Sequence, residues 1–337
     1  MSAELTKQIE EALEEISTVE LRRSIVQLGM VRDIKEEKGR VTLTLSLTPL
    51  SASARESVEK RVRAAVENVP GVKEVVVEAV ELPPKETNQV GSVVAVMSGK
   101  GGVGKSLVTG LAGIALSRQG LQVGILDADI TGPSIPKMFG LTARPTGSDK
   151  AILPVETRSG IEIMSINLLL PQEDDAVIWR GPLLAKAIMQ FWDDVVWGKL
   201  DYLLVDLPPG TADIPLTVMQ SLPLSGVVIV STPQDLAGMV VRKAVHMASS
   251  LNVPVLGVVE NMSYVIVPET GNKLELFGRS KGEEMAREAD APFLGQLPID
   301  PELAQLCDEG EIERYNSEAF IAFSQAFAAA LTLPDAG

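Results

Sequence analysis

Ser98-Gly99-Lys100-Gly101-Gly102-Val103-Gly104-Lys105-Ser106 is the stretch on which the reading of this chain turns. From Gly99 the spacing is G-x-x-x-x-G-K-S, so Gly99, Gly104, Lys105 and Ser106 fall on the fixed positions of a P-loop. The pattern means most between a strand and a helix, and both are legible here. Ser92-Val-Val-Ala-Val-Met97 reads as an apolar strand entering the loop, and Lys105 to Ser117 reads as a helix leaving it. Glycines let the backbone bend around phosphates, and N–H groups at a helix start donate to them with a favourable dipole. Residues 98–106 are therefore the expected nucleotide contacts. Lys105 is expected to reach the β- and γ-phosphates, and the Ser106 hydroxyl to ligate Mg²⁺.

The same alternation continues outward. Strands are expected at 92–97, 121–126, 161–166, 201–206, 226–231, 254–260 and 293–297, with helices near 105–118, 182–197, 235–250 and 315–331. Runs such as Gly226-Val-Val-Ile-Val-Ser231 lack polar alternation, as strands covered on both faces do. This predicts an α/β fold: a doubly wound, mostly parallel sheet with its ligand at the carboxyl ends of the strands. Ahead of it, residues 1–82 read as a small α+β domain, with helices from Ala3 to Ile16 and from Ala52 to Val69 and strands at 29–34, 40–46 and 72–80. The polar, proline-containing segment 83–89 reads as a linker, leaving 90–337 as the P-loop domain.

Composition narrows the function classes. Thirty Lys and Arg stand against 45 Asp and Glu, a net charge of −15, which disfavours a nucleic-acid surface. No apolar run approaches the ~20 residues of a membrane span, and the first helix is acidic rather than signal-like. A cytoplasmic protein without membrane or nucleic-acid partners is expected. Cys307 is the one cysteine, so intrachain disulfides and multi-cysteine metal sites within one chain are ruled out.

Two more motifs fall at strand ends. Asp127-Ala-Asp-Ile-Thr-Gly-Pro-Ser134 follows 121–126, and Asp206-Leu-Pro-Pro-Gly-Thr-Ala-Asp213 follows 201–205. Asp206 has the placement of a Walker B carboxylate for Mg²⁺, and Asp127 that of an anchor for the loop or the metal's waters. Gly210 can let a backbone N–H approach the γ-phosphate. Asp213 reads as a helix cap, Pro298-Ile-Asp300 as a weak second base-flanking loop, and His246 as structural. Trp192 and Trp197 are expected on one helix as core or interface.

Lys100, one position after the first P-loop glycine, lies on the far side of its own nucleotide and can usefully reach a second subunit's phosphates. This arrangement resembles the deviant Walker A ATPases, which dimerise face to face around two ATP molecules. The resemblance implies a homodimer in which Lys100 acts in trans, much as an arginine finger does. It also implies that Asp129, at the switch I position, orients or activates the attacking water. Asn261, in Glu260-Asn-Met-Ser-Tyr264, stands where these proteins contact the base. Taken together, the four stretches are similar to the Mrp/ApbC branch of iron–sulfur cluster carrier ATPases over about 90–330. Gln27-Leu-Gly-Met-Val-Arg-Asp-Ile34 and Leu43-Thr-Leu-Ser-Leu-Thr-Pro49 resemble the MIP18-type domain often fused ahead of that ATPase. The resemblance implies slow, Mg²⁺-dependent ATP hydrolysis, a cluster held at a dimer interface, and partnership with an iron–sulfur scaffold and apoprotein clients.

One departure bears on the cargo. Where that branch has Cys-x-x-Cys this chain has Val267-Pro-Glu-Thr270, and only Ser and Ala occupy 51–54 where the amino-terminal domain usually carries a cysteine. A 4Fe–4S cluster takes four thiolates. A homodimer offers two copies of Cys307, which sits in a helical stretch as either an inert position or an Fe–S ligand. Two other functions stay open: a positioning ATPase of the MinD/ParA type, and a nucleotide-gated adaptor without cluster chemistry. The first sits badly with the net charge and with a carboxyl-terminal stretch, 315–337, that holds no Lys or Arg.

Overall fold

The computed structural model describes residues 3–17, 23–48, 50–129, 134–148, 150–165, 168, 181–211, 213–234 and 237–331, without the side chains of 181–185 and 237. In chain order the first elements are α1 (Ala3–Glu14), β1 (Val31–Glu37), β2 (Arg40–Ser46), α2 (Ala52–Glu67), β3 (Glu74–Val80), α3 (Pro84–Thr87), β4 (Gln89–Met97), α4 (Lys105–Ser117), β5 (Val123–Asp127) and α5 (Ile135–Met138). Then come β6 (Thr146–Ser148), β7 (Ala151–Leu153), β8 (Val155–Glu156), β9 (Glu162–Ser165), α6 (Gly181–Asp194), β10 (Lys199–Asp206), α7 (Asp213–Ser221) and β11 (Gly226–Ser231). The chain continues through α8 (Ala237–Ser250), β12 (Val255–Glu260), β13 (Val265–Ile266), β14 (Lys273–Leu274), α9 (Gly282–Glu288), β15 (Phe293–Gln296), α10 (Pro301–Glu309) and α11 (Glu318–Leu331).

One compact unit gathers Met1–Val90, Pro145–Pro154 and Gln190–Leu200. Its sheet has the order β1-β2-β3, with β1 antiparallel to β2 and β3 parallel to it. Lys38 (φ 53°) and Gly39 (φ 89°) make the tight turn of the hairpin, whose two positive φ values suit the strands' twist. Alternation along β2 points Val41, Leu43 and Leu45 inward, where Val58, Val62 and Val66 from one stripe of α2 meet them. Ala151, Leu153 and Val196 join that core, so two later segments fold with the amino-terminal module. The 83–89 segment is not a loose tether here. Pro84 opens α3, where a proline's missing N–H has no partner to lose. Asn88 then donates to the Val195 carbonyl at 2.9 Å and accepts from Gly198 N–H at 3.0 Å. Trp197, expected on a helix with Trp192, lies past the end of α6 at Asp194 and is fully buried.

The second unit is Gly91–Arg144, Val155–Met189 and Asp201–Gly337. Its eight-stranded sheet runs β15-β12-β11-β4-β10-β5-β9-β8. The pairs β10/β5, β5/β9, β11/β4, β11/β12 and β12/β15 are parallel, and β8 on β9 is antiparallel. This is the doubly wound, mostly parallel α/β sheet expected from the apolar runs. β5 and β11 are buried along their whole length. On one side Phe320, Phe323 and Phe327, spaced along one stripe of α11, pack into the same core as Val108, Leu111 and Ala115 of α4. The strand order positions the site: β10 lies between β4 and β5, which brings its carboxyl end beside the P-loop and sets the end of β5 one strand further out.

Candidate functional site

The P-loop leaves β4 and enters α4 through Gly102 (φ 78°) and Gly104 (φ 77°), left-handed positions that a side chain would strain. Around Gly102 nothing lies within 4 Å of where a Cβ would stand, so the loop curls around open space. Lys105 starts α4 and is buried, with Nζ 2.7 Å from Asp206 Oδ1 and 3.5 Å from Asp129 Oδ2. Ser106 Oγ donates to Asp206 Oδ2 at 2.5 Å, and Thr109 Oγ1, one helical turn on, donates to Asp206 Oδ1 at 2.9 Å. One carboxylate thus receives three donors from a single helix.

Parallel register supplies the other acids. Asp206 pairs with Asp127 across β10 and β5, and Asp127 pairs with Ser165 across β5 and β9. Ser165 Oγ donates to Asp127 Oδ2 at 3.0 Å, and the Asp129 N–H donates to Asp127 Oδ1 at 3.2 Å. Burial pushes the Asp127 carboxyl well above the ordinary range, and the neighbouring Asp206 charge pushes it the same way. Burial also raises Asp206, but Lys105, Ser106 and Thr109 all favour its charged form. Both carboxyls are thus pushed upward, Asp127 further than Asp206, whose three donors offset part of the effect of burial. Three acids around one ammonium leave an excess of negative charge, and hydroxyl and carboxylate oxygens are the ligands Mg²⁺ prefers, so this set fits the ion. Ser106 and Asp206 could hold the ion directly, with Asp127, paired beside Asp206, placed to hold its waters; among the described residues no three His, Cys, Asp or Glu side chains form a ready-made metal-holding group.

The loop is braced from its other flank by the residue expected at the base. Asn261 is buried at the end of β12, and its Nδ2 donates to the Val103 carbonyl at 2.9 Å. A Cβ on Gly104 would come within 2.2 Å of that nitrogen, which is a second reason for glycine there. The Asn261 amide nitrogen thus also braces the loop. Gly210 (φ 97°), expected to let a backbone N–H approach the γ-phosphate, donates its own N–H to the Ser98 carbonyl at 2.8 Å. Ser98 Oγ donates in turn to the Lys100 carbonyl at 3.0 Å, and Lys100 Nζ donates to Gln234 Oε1.

Other expected residues lie elsewhere. Cys307 sits on α10, half-buried against the core, where burial and the Asp308 charge push its thiol up to about 11. A thiol held up in this way disfavours the thiolate that binds a metal. Asp300 caps α10, accepting from Glu302 N–H at 2.9 Å and from the Tyr315 hydroxyl at 2.7 Å, which leaves it structural. Asp213 is the first residue of α7 instead of its cap. His246 is exposed on α8, off the stripe formed by Val241, Ala244 and Ala248. Residues 130–133, the middle of the expected switch I, lie outside the described residues. Sequence reasoning missed Thr109, Ser165 and Gln234. For Thr109 a signal existed: it stands four residues after Lys105, on the same helix face.

Loop, acids and sheet position together define a P-loop nucleotide-binding protein. The chain matches the family described as NUBPL iron-transfer P-loop NTPase over residues 89–331, and it belongs to that family; residues 6–78 match a second, described as iron-sulfur cluster assembly protein. The iron-sulfur cluster carrier protein of Aquifex aeolicus is 40% identical over 341 residues, covering 92% of this chain and 92% of that one. Its Clostridium perfringens namesake is 47% identical over 235 residues, covering 67% of this chain and 82% of that one. A solved nucleotide-binding protein from Archaeoglobus fulgidus, in complex with ADP, is 49% identical over 68% of this chain and 91% of its own, with a TM-score of 0.62.

Proposed function

We propose that the chain is an ATP-hydrolysing iron–sulfur cluster carrier or assembly factor. In this reading it works as a cytoplasmic homodimer and moves clusters from a scaffold protein to apoprotein clients. The observation that carries the ATPase half is the convergence of Lys105, Ser106 and Thr109 on Asp206, with Asp129 within reach of the same lysine. ATP phosphates enter the hollow of 98–106, where backbone N–H groups and the helix dipole receive them. Lys105 then exchanges Asp206 for β- and γ-phosphate oxygens, and Ser106 releases its hydrogen bond so that both it and Asp206 can hold Mg²⁺. Held there by Ser106 and Asp206, Mg²⁺ would supply charge neutralisation for the phosphates. Asp129 orients the attacking water, and Lys100 is contributed by the second subunit. Charge stabilisation of this kind is positional, so turnover waits on assembly of the dimer.

The carrier half rests on both family matches and on the relatives' names. With one half-buried cysteine per chain, most ligands for the cargo come from the partner that gives or takes it. The same scarcity of thiols favours a second reading, an adaptor that keeps the ATPase and lacks cluster handling. The amino-terminal unit, with residues 1–82 and the connecting segment 83–89 at its heart and 145–154 and 190–200 folded into it, is the natural candidate for client contact.

The deciding experiment moves a cluster from a loaded scaffold to an apo-client, with ATP and Mg²⁺, with and without this protein. Acceleration that disappears in Lys105→Ala supports the carrier reading. ATP turnover without any acceleration selects the adaptor, and no Mg²⁺-dependent ATP binding at all rejects both.

A further inference from the structure

Lys100 does not hang free of its own subunit. Its Nζ donates to the side-chain carbonyl of Gln234, in the connection between β11 and α8. A second contact ties the same region to the same turn of the loop. A Cβ on Gly99 would fall 1.9 Å from Val240 Cγ1 and 3.0 Å from the Val240 carbonyl oxygen, so α8 seats directly on the first P-loop glycine. With the Ser98 hydroxyl on the Lys100 carbonyl at 3.0 Å, the backbone of Lys100 is held firmly, while its ammonium rests on one uncharged acceptor.

We propose that Gln234 is a positioning residue, which keeps Lys100 on its own subunit until a second subunit's nucleotide takes the lysine over. This rests on the reading of Lys100 as a residue acting in trans. An amide suits the task. Its oxygen accepts from the ammonium without net charge, whereas a phosphate oxygen adds the attraction of an ion pair to the same kind of hydrogen bond, so the exchange runs toward the nucleotide. A carboxylate at 234 would hold the ammonium too well, and a methyl would not hold it at all.

The test compares Gln234→Ala and Gln234→Glu with the wild type by two readouts. In protein without nucleotide, acylation of Lys100 by an amine-reactive ester is followed by peptide mass spectrometry, since the lysine must leave its acceptor to react. An ordinary solvent-exposed hydrogen bond corresponds to a change of about three- to tenfold, faster in Gln234→Ala and slower in Gln234→Glu, with other lysines unchanged. The second readout is ATP turnover against protein concentration. Gln234→Glu should need about three- to tenfold more protein for half-maximal turnover, and the difference should shrink at high salt, as an exposed ion pair is screened. ATP affinity should stay the same in both variants, which a general loosening of the loop would not allow. Unchanged labelling overturns the proposal, and so does changed labelling with an unchanged concentration dependence. The trans reading has its own test: a mixed dimer of Lys100→Ala and Asp129→Ala subunits rebuilds one complete site. No recovery in verified heterodimers would reject that reading, whatever the Gln234 variants do.

Discussion

The two loops that follow β4 and β12 leave the same sheet at the same edge and are built in opposite ways. After β4, the P-loop feeds a site in which Lys105, Asp127, Asp129 and Asp206 are all buried and the donors around Asp206 come from one helix. After β12, the chain makes an excursion that is anchored at its base. Buried Glu260 accepts from Ser263 Oγ at 2.5 Å and from the Lys281 N–H at 2.8 Å, which pins both ends. Between those pins lie the β13–β14 hairpin and four exposed apolar side chains, Ile266, Leu274, Leu276 and Phe277. The place of the expected Cys-x-x-Cys is a turn: Gly271 N–H donates to the Val267 carbonyl at 2.8 Å. The first region is over-determined for phosphate and metal. The second keeps a rigid base and offers no thiol. The proposed function follows this contrast, with nucleotide chemistry resident in the first region and cargo chemistry drawing on a partner's ligands.

The sharpest way to break this contrast is to disable the first region while leaving its folding alone. Lys100→Ala should retain ATP affinity and lose about 10³-fold or more in turnover, the scale of a trans-acting cation on transferring phosphoryl charge. Steady-state phosphate release paired with nucleotide titration reads both quantities. Equal losses in affinity and turnover would mean that Lys100 serves its own nucleotide.

Lys105→Ala should have the next largest effect, weakening ATP binding about 100-fold through loss of charge-assisted contacts to phosphate. It also strips Asp206 of its cation in a buried site, at a cost of about 3–5 kcal/mol in stability. The double variant Lys105→Ala/Asp206→Asn should recover much of the stability and none of the binding. Recovery of ATP affinity by calorimetry would contradict the assignment of Lys105.

Asp127→Asn has a smaller effect with a defined pH dependence. A carboxyl whose folded pKa is raised binds a proton more readily folded than unfolded, so its contribution to stability declines as pH rises from about 4 through the folded value. Asparagine removes that decline. The melting temperature of the variant should exceed that of the wild type by a few degrees at neutral pH, and the gap should close toward pH 4. A gap that widens on acidification would mean that Asp127 is held ionised.

Much of this was legible in the sequence, and the gaps have physical reasons. The strands of the large sheet show because both faces are covered, so their apolar runs are uninterrupted. The P-loop shows because phosphate contact fixes glycine, lysine and serine at set spacings. Asn261 was visible as a residue of the site, but its direction was not: whether a buried amide faces a base or braces the Val103 carbonyl depends on the approach of two strand ends distant in sequence. Ser165 and Gln234 became visible only through register and loop packing. The incorporation of 145–154 and 190–200 into the amino-terminal unit has no composition signal at all, since the apolar residues of β7 would serve either core equally.

Cys307→Ala should have the smallest effect, and it bears most directly on the second region. A cluster ligand must be a thiolate, and this thiol is pushed up to about 11 by burial and by Asp308, so its thiolate fraction near neutral pH is far below that of a free cysteine. Its side chain packs against the core of the nucleotide-binding unit, and exposing it would forfeit that packing. Anaerobic reconstitution with iron and sulfide should therefore give weak, substoichiometric absorbance that is the same in wild type and Cys307→Ala. Transfer from a loaded scaffold to an apo-client should also be unchanged in the variant, because the ligands then belong to the partners. A stable centre near one per dimer in the wild type that disappears with the cysteine would place cargo chemistry on α10, and the contrast between the two loops would no longer describe where clusters bind.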